Sequence, residues 1–176
     1  AAGNVGTSSA VDFTVDGSMP PYLELIQNGG FEDGVAPWTG TTGAIGTFSG
    51  QPAYEGSRCA WLGGHGRTAS ESLSQTVKIP SGAAVVTLRF QLHIDTAETT
   101  TSQAYDKLTV QVLNNSGVVL KTLATYSNLH KAPGYVERSF DLSAYCGQTI
   151  RLSFKATEDA SLQTSFVLDR VSLAMR

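Results

Sequence analysis

The clearest alternation of apolar and polar positions runs from residue 72 to residue 95. Leu73, Val77 and Ile79 share one parity against Ser72, Ser74, Thr76 and Lys78, and Pro80 ends the run. Val86, Leu88, Phe90, Leu92 and Ile94 then take one face, with Thr87, Arg89, Gln91, His93 and Asp95 on the other. A period of two marks a strand with one buried face, because successive side chains leave the pleat on opposite sides. The pattern recurs at Leu108, Val110 and Val112, and again at Ile150, Leu152, Phe154 and Ala156 against Arg151, Ser153 and Lys155. Asn114-Asn-Ser-Gly117 is a hairpin signal that returns the chain into a strand over 118–125. Further strands are predicted over 22–27, 44–48, 59–62, 135–142 and 164–175, and no convincing amphipathic helix of usual length is found. Many short strands with glycine turns predict an all-β domain, an antiparallel two-sheet β-sandwich over residues 20–176.

One strand changes phase. Phe166 and Leu168 share a parity, whereas Val171 and Leu173 share the other, and the slip falls around Asp169. A β-bulge produces such a slip and re-aims a side chain. Near the other end, Asn28-Gly-Gly-Phe-Glu32 is a tight glycine turn that delivers an aromatic ring and a carboxylate.

Composition narrows the class. Charged residues make up 15% of the chain, well below the usual quarter, and 18 glycines accompany many Ser and Thr. That balance favours an extracellular β module. A net charge of −3 does not match the basic stripe of a nucleic-acid binder. No apolar run approaches the roughly 20 residues of a membrane span. The sequence starts without Met or a signal peptide and is expected to be a piece of something longer. Cys59 and Cys146 show no CxxC spacing. In a secreted module they allow one disulfide, and equally two small buried residues.

Five motifs in order carry a family likeness: Asn28, Gly30, Phe31 and Glu32 followed by Trp38; Gly56 to Gly64; Leu73 to Pro80; Phe140 to Phe154; and Phe166 to Leu173. Together they resemble the galactose-binding-like jelly-roll superfamily, near carbohydrate-binding modules of families 4 and 9. They are also similar to the jelly-roll modules at the C-terminus of secreted bacterial peptidases of sedolisin/kumamolisin and immune-inhibitor-A type. Residues 1–19 resemble the last strand of a bacterial immunoglobulin-like repeat followed by a linker, Gly17 to Pro21. The likeness implies a structural calcium held by Glu32 and Asp169, with backbone carbonyls near Asn28 or Gly30 and near Ser57. Calcium is a hard cation that takes six to eight oxygens, and glycine turns expose carbonyls. Arg170 stands where the family often has a second acid, which is expected to weaken the site. The plainer alternative is a pair of carboxylates capping backbone amides.

A second acidic group, Asp95, Glu98 and Asp106, is a weaker calcium candidate, and Glu158 and Asp159 occupy a similar loop. The same acids are the only candidates for a hydrolytic carboxylate pair. Trp61 has outward parity on its strand and is a candidate sugar platform, with Trp38, Tyr54, Tyr105 and Tyr126 in or near loops. Arg89, Gln91 and His93 on one outer face are candidate partners for sugar hydroxyls. No G-x-S-x-G elbow, phosphate loop, HExxH or zinc cluster occurs.

The expectation is a non-catalytic accessory module of a secreted multidomain bacterial hydrolase. It would bind an extracellular glycan or other polymer and would work beside catalytic and immunoglobulin-like domains of its parent chain. The rival expectations are a purely structural or protein-interaction module with no ligand, and a small hydrolase using the acidic loops.

Overall fold

The structure is a computed structural model that describes residues 22–176, so the expected immunoglobulin-like tail over 1–19 lies outside the described residues. The strands are β1 (Leu23–Glu24), β2 (Thr39–Gly40), β3 (Ile45–Gly46), β4 (Cys59–Gly63), β5 (Ala69–Lys78), β6 (Val86–Thr96), β7 (Lys107–Leu113), β8 (Val119–Ser127), β9 (Val136–Asp141), β10 (Thr149–Glu158) and β11 (Thr164–Met175). Two 3-10 turns, Asn128–His130 and Ser143–Tyr145, are the only helical elements among the described residues.

The strands form two antiparallel sheets of a β-sandwich, as the alternation predicts, with the jelly-roll class that the resemblance implies. The first sheet runs β3-β4-β11-β6-β9, with β1 also paired to β11; the second runs β2-β5-β10-β7-β8. The core between them is filled by the inward parity of the long strands, with Phe31, Phe90, Phe154, Phe166, Leu62, Leu73 and Ile150 fully buried. Trp38, one of the candidate surface aromatics, belongs to this core: it packs 5.5 Å from Phe31, and its Nε1 donates to the Asn28 carbonyl at 2.9 Å. Tyr126 is also buried, capped by the Arg138 guanidinium 4.8 Å above its ring, where β8 of one sheet meets β9 of the other.

β11 organises the first sheet. Along one edge it pairs with β4 through Ser165–Leu168 and with β1 through Ala174–Met175. The register against β6 shifts between Asp169 and Ser172, and Arg170 takes φ of 50°. The phase slip is therefore a bulge. The opening turn plugs into it, with Val171 N donating to the Gly29 carbonyl at 2.8 Å. The approach is so close that a Cβ on Gly29 would lie 1.8 Å from the Val171 oxygen, which only glycine avoids.

The hairpin at Asn114–Gly117 joins β7 to β8, and the register of that pair shifts twice, between Val110 and Gln111 and between Val112 and Leu113.

Cys59 and Cys146 are free thiols, so the disulfide the sequence allows is not formed. The reason is placement: the Cys59 Sγ reaches the Gln51 carbonyl at 3.6 Å, whereas Cys146 follows a 3-10 turn and reaches the Ala83 carbonyl at 3.5 Å.

Candidate ligand and metal sites

Parity places Trp61, Val167 and His93 in one cross-strand row on the outer face of the first sheet, and Asp169, Gln91 and Glu137 in another. In a sandwich that face is ordinarily solvated. Here residues 47–58 lie over it as a roof. Tyr54 N and Glu55 N donate to Asp169 Oδ2 at 2.8 and 3.0 Å, and Gln51 Nε2 donates to Asp95 Oδ2 at 3.3 Å. Tyr135 Oη donates to the Pro52 carbonyl at 2.9 Å, with the Tyr54 and Tyr135 rings 5.5 Å apart. Val167 and Asp169 consequently have no exposed surface, although they point away from the core. Under this roof, burial pushes the Cys59 thiol up to about 11, and burial likewise raises Tyr135.

The structure brings Glu32 and Asp169 onto one cavity of about 420 Å³, lined also by Gly30, Glu55, Gly56 and Arg170. Glu32 Oε1 accepts from Ser57 N and Arg58 N, both at 2.8 Å, and Oε2 accepts from Ser57 Oγ at 3.0 Å. Those amides hold the Glu32 carboxyl below its ordinary range. A Cβ on Gly56 would come 2.4 Å from Glu32 Oε1, so the carboxylate sits flush against that backbone. Asp169 behaves oppositely. Burial raises its pKa against the three amide bonds it accepts, and the Glu32 charge raises it further.

The donor set around this cavity is oxygen-only in its acids, and each carboxylate keeps one oxygen with a single hydrogen bond. Two like charges from opposite ends of the chain facing one cavity suit a hard divalent cation. Among the described residues, no three His, Cys, Asp or Glu side chains are grouped to hold one ion, so backbone carbonyls and water would complete the shell. Gly30 lines the cavity, but Asn28 does not. Asn28 Oδ1 accepts from Asp33 N, and its carbonyl accepts from Trp38 and Phe31, because those contacts close the opening loop. Ser57 faces Glu32 as a donor. Arg170 pairs at 3.6 Å with Glu55, both side chains exposed.

The second acidic group divides. Asp95, exposed, accepts from Gln51 Nε2 instead. Asp106, fully buried, accepts from Asp159 N at 2.9 Å and from Thr164 Oγ1 at 2.6 Å. Glu158 accepts from the backbone of His65, Gly66 and Thr164. Glu98 is buried nearby; burial first, then Asp106 and Asp159, raise its carboxyl. Asp106 and Glu158 thus brace the loops between β6 and β7, β4 and β5, and β10 and β11.

The expected ligand face is split by the roof. Arg89 and Gln91 line one cavity with Tyr54, Glu137, Arg170 and Ser172, and Arg89 Nη1 pairs with Glu137 at 2.9 Å. His93 Nδ1 is 3.0 Å from the Gly134 carbonyl. Trp61 lies on the other side, in a cavity of about 240 Å³ with Thr42, Phe48, His65 and Glu71. The Phe48 ring stands edge-on to Trp61 at 5.2 Å. Glu71 Oε2 accepts from Gly63 N at 2.7 Å and lies 3.1 Å from His65 Nε2. Trp61 Nε1 has no acceptor in the protein. Sequence reasoning passed over Glu71. Its signal was its parity with Leu73 and Val77, which aims a carboxylate toward the core side at a strand end.

No family model and no curated protein sequence matches the chain. Solved structures do, at the level of fold. TmCBM61, determined in complex with β-1,4-galactotriose, superposes with a TM-score of 0.63 and 18% identity, over 88% of this chain and 99% of that one. Family 16 carbohydrate-binding module 2 gives 0.53 and 18%, over 85% and 98%. A cyclase from Fischerella sp. gives 0.53 and 17%, over 88% and 97%. The fold is thus shared by carbohydrate-binding modules and by at least one enzyme, so the sites must decide the function.

Proposed function

We propose that the chain is a carbohydrate-binding module that holds its glycan in the Trp61 cavity. The observation that carries this is the pairing of an aromatic wall, Trp61 with Phe48, and convergent polar groups, Thr42, His65 and Glu71, in one cavity. Apolar surface with a few placed hydrogen-bonding groups is the ordinary composition of a small-ligand site. The shared fold with TmCBM61 and the family 16 module supports the same reading. The Glu32/Asp169 cavity is proposed to hold a structural calcium that joins the opening turn to the bulge of β11. The accessory role in a secreted bacterial hydrolase, beside its catalytic and immunoglobulin-like domains, is supported by the sequence motifs.

The test is a glycan array followed by calorimetry on the best binder. Trp61→Ala should weaken binding by at least about 30-fold, the loss expected of a buried aromatic anchor. Lys155→Ala, on the outer face of the second sheet, should leave it unchanged. Equal binding by both variants would remove the cavity from consideration.

A second reading has its own observation. The outer rows of the second sheet, such as Ser72, Lys155, Thr109 and Thr125, and Thr39, Ser74, Ser153, Gln111 and Thr122, hold no aromatic ring. That face suits a structural module with no ligand. Failure to bind any glycan or insoluble polymer would favour it.

A further inference from the structure

We infer, resting on the Trp61 cavity being the ligand site, that it takes one neutral sugar residue at the end of a glycan and turns acidic sugars away. The first support is size. A cavity of about 240 Å³ falls below the roughly 300–1,000 Å³ of sites that enclose drug-sized ligands, which leaves room for one ring. The second is the shape of the walls. Phe48 blocks one side of Trp61, and the His65–Glu71 pair stands on the cavity lining with Gly63 and Gly64. The third is what lies elsewhere. The outer rows of the second sheet offer no ring on which further sugar units would stack, and the roof formed by residues 47–58 interrupts the first sheet beyond Trp61.

Glu71 sets the charge preference. Its side chain is only 15% exposed, and Oε2 is already held by Gly63 N and His65 Nε2. Oε1 remains for a ligand. An ionised carboxylate only accepts hydrogen bonds, so it selects hydroxyls. A sugar carboxylate brought beside it would face a like charge in a half-enclosed site, a pairing that costs several-fold in affinity or more. His65 is the one basic side chain on the lining, and its Nε2 lies 3.1 Å from Glu71 Oε2.

The test uses calorimetry of the whole chain against β-1,4-linked galacto- and gluco-oligosaccharides, from monosaccharide to hexasaccharide, with galacturonate and glucuronate as acidic counterparts. The expected result is an affinity that changes less than about threefold with chain length, and uronates at least about tenfold weaker than the matching neutral sugar. Glu71→Gln should narrow that gap by about tenfold, and Lys155→Ala, outside the cavity, should preserve it. Melting curves of both variants show whether each is folded. Affinity rising more than tenfold with length would overturn end recognition while leaving the cavity reading intact. A gap unchanged in a folded Glu71→Gln variant would overturn acid exclusion. Binding to none of these sugars, or wild-type affinity in Trp61→Ala, would take down the cavity reading and the inference with it.

Discussion

The two sheets present outer faces of the same sequence grammar and opposite fates. Both alternate inward apolar with outward polar residues. The second sheet leaves outward residues such as Lys155, Thr122 and Thr125 in water. Part of the first sheet's outer face is covered by residues 47–58, so Asp169 becomes a buried polar group that is satisfied by the roof above it. Every candidate cavity lies on or beside that roofed side. Function on this fold follows from what is laid over a sheet as much as from the sheet.

The sharpest way to break that contrast is Asp169→Ala. It strands the amides of Tyr54 and Glu55 beneath the roof, and a buried unsatisfied group costs about 1–3 kcal/mol. Chemical denaturation should show a loss of about 3 kcal/mol. Thr125→Ala on the bare face should stay within about 0.5 kcal/mol. Equal losses would mean that the roof is not anchored at Asp169.

Calcium is the next lever. At a concentration of about 100 Kd it should stabilise by about 2.7 kcal/mol, or roughly 5–10 °C in Tm, reversed by EDTA. The sign with pH follows from the two carboxyls. Glu32, held low by the amides of Ser57 and Arg58, contributes stability above the ordinary carboxylate range and loses it as pH falls through its lowered value. Asp169 is raised by burial, so in EDTA it lowers stability as pH climbs from its ordinary value through its raised one. Bound calcium favours the ionised form of both, so the calcium-dependent gain should shrink as pH falls. A Tm indifferent to EDTA at neutral pH would remove the ion.

The smallest effect is chemical. Cys59 lies beneath the roof with its thiol raised to about 11, whereas Cys146 is half-buried outside it. Alkylation near neutral pH should label Cys146 first and reach Cys59 only on unfolding. Equal labelling rates would show that the roof opens readily.

How much of this the chain announces in advance depends on the range of the contact. β5, β6 and β10 are legible because alternation is local, and the bulge is legible because Asp169 interrupts the phase of its own strand. The roof is not. Its anchors join Tyr54 and Glu55 to Asp169 across more than a hundred residues, and no local pattern records that pairing. That is why Arg89, Gln91 and His93 read as one open face with Trp61, and why Asp95 reads as a neighbour of Asp106. Trp38 looked like a loop aromatic because its core partners, Phe31 and Phe154, are contributed by other segments.

The doubly interrupted pairing of β7 with β8 has a consequence for the molecule in a crowd. β8 is the last strand of its sheet, and it exposes Val119 and Leu120 at 46% each. A straight edge of that kind would recruit a neighbouring molecule's strand. The two slips in register twist its free amides and carbonyls out of line, so the edge offers no continuous template for aggregation.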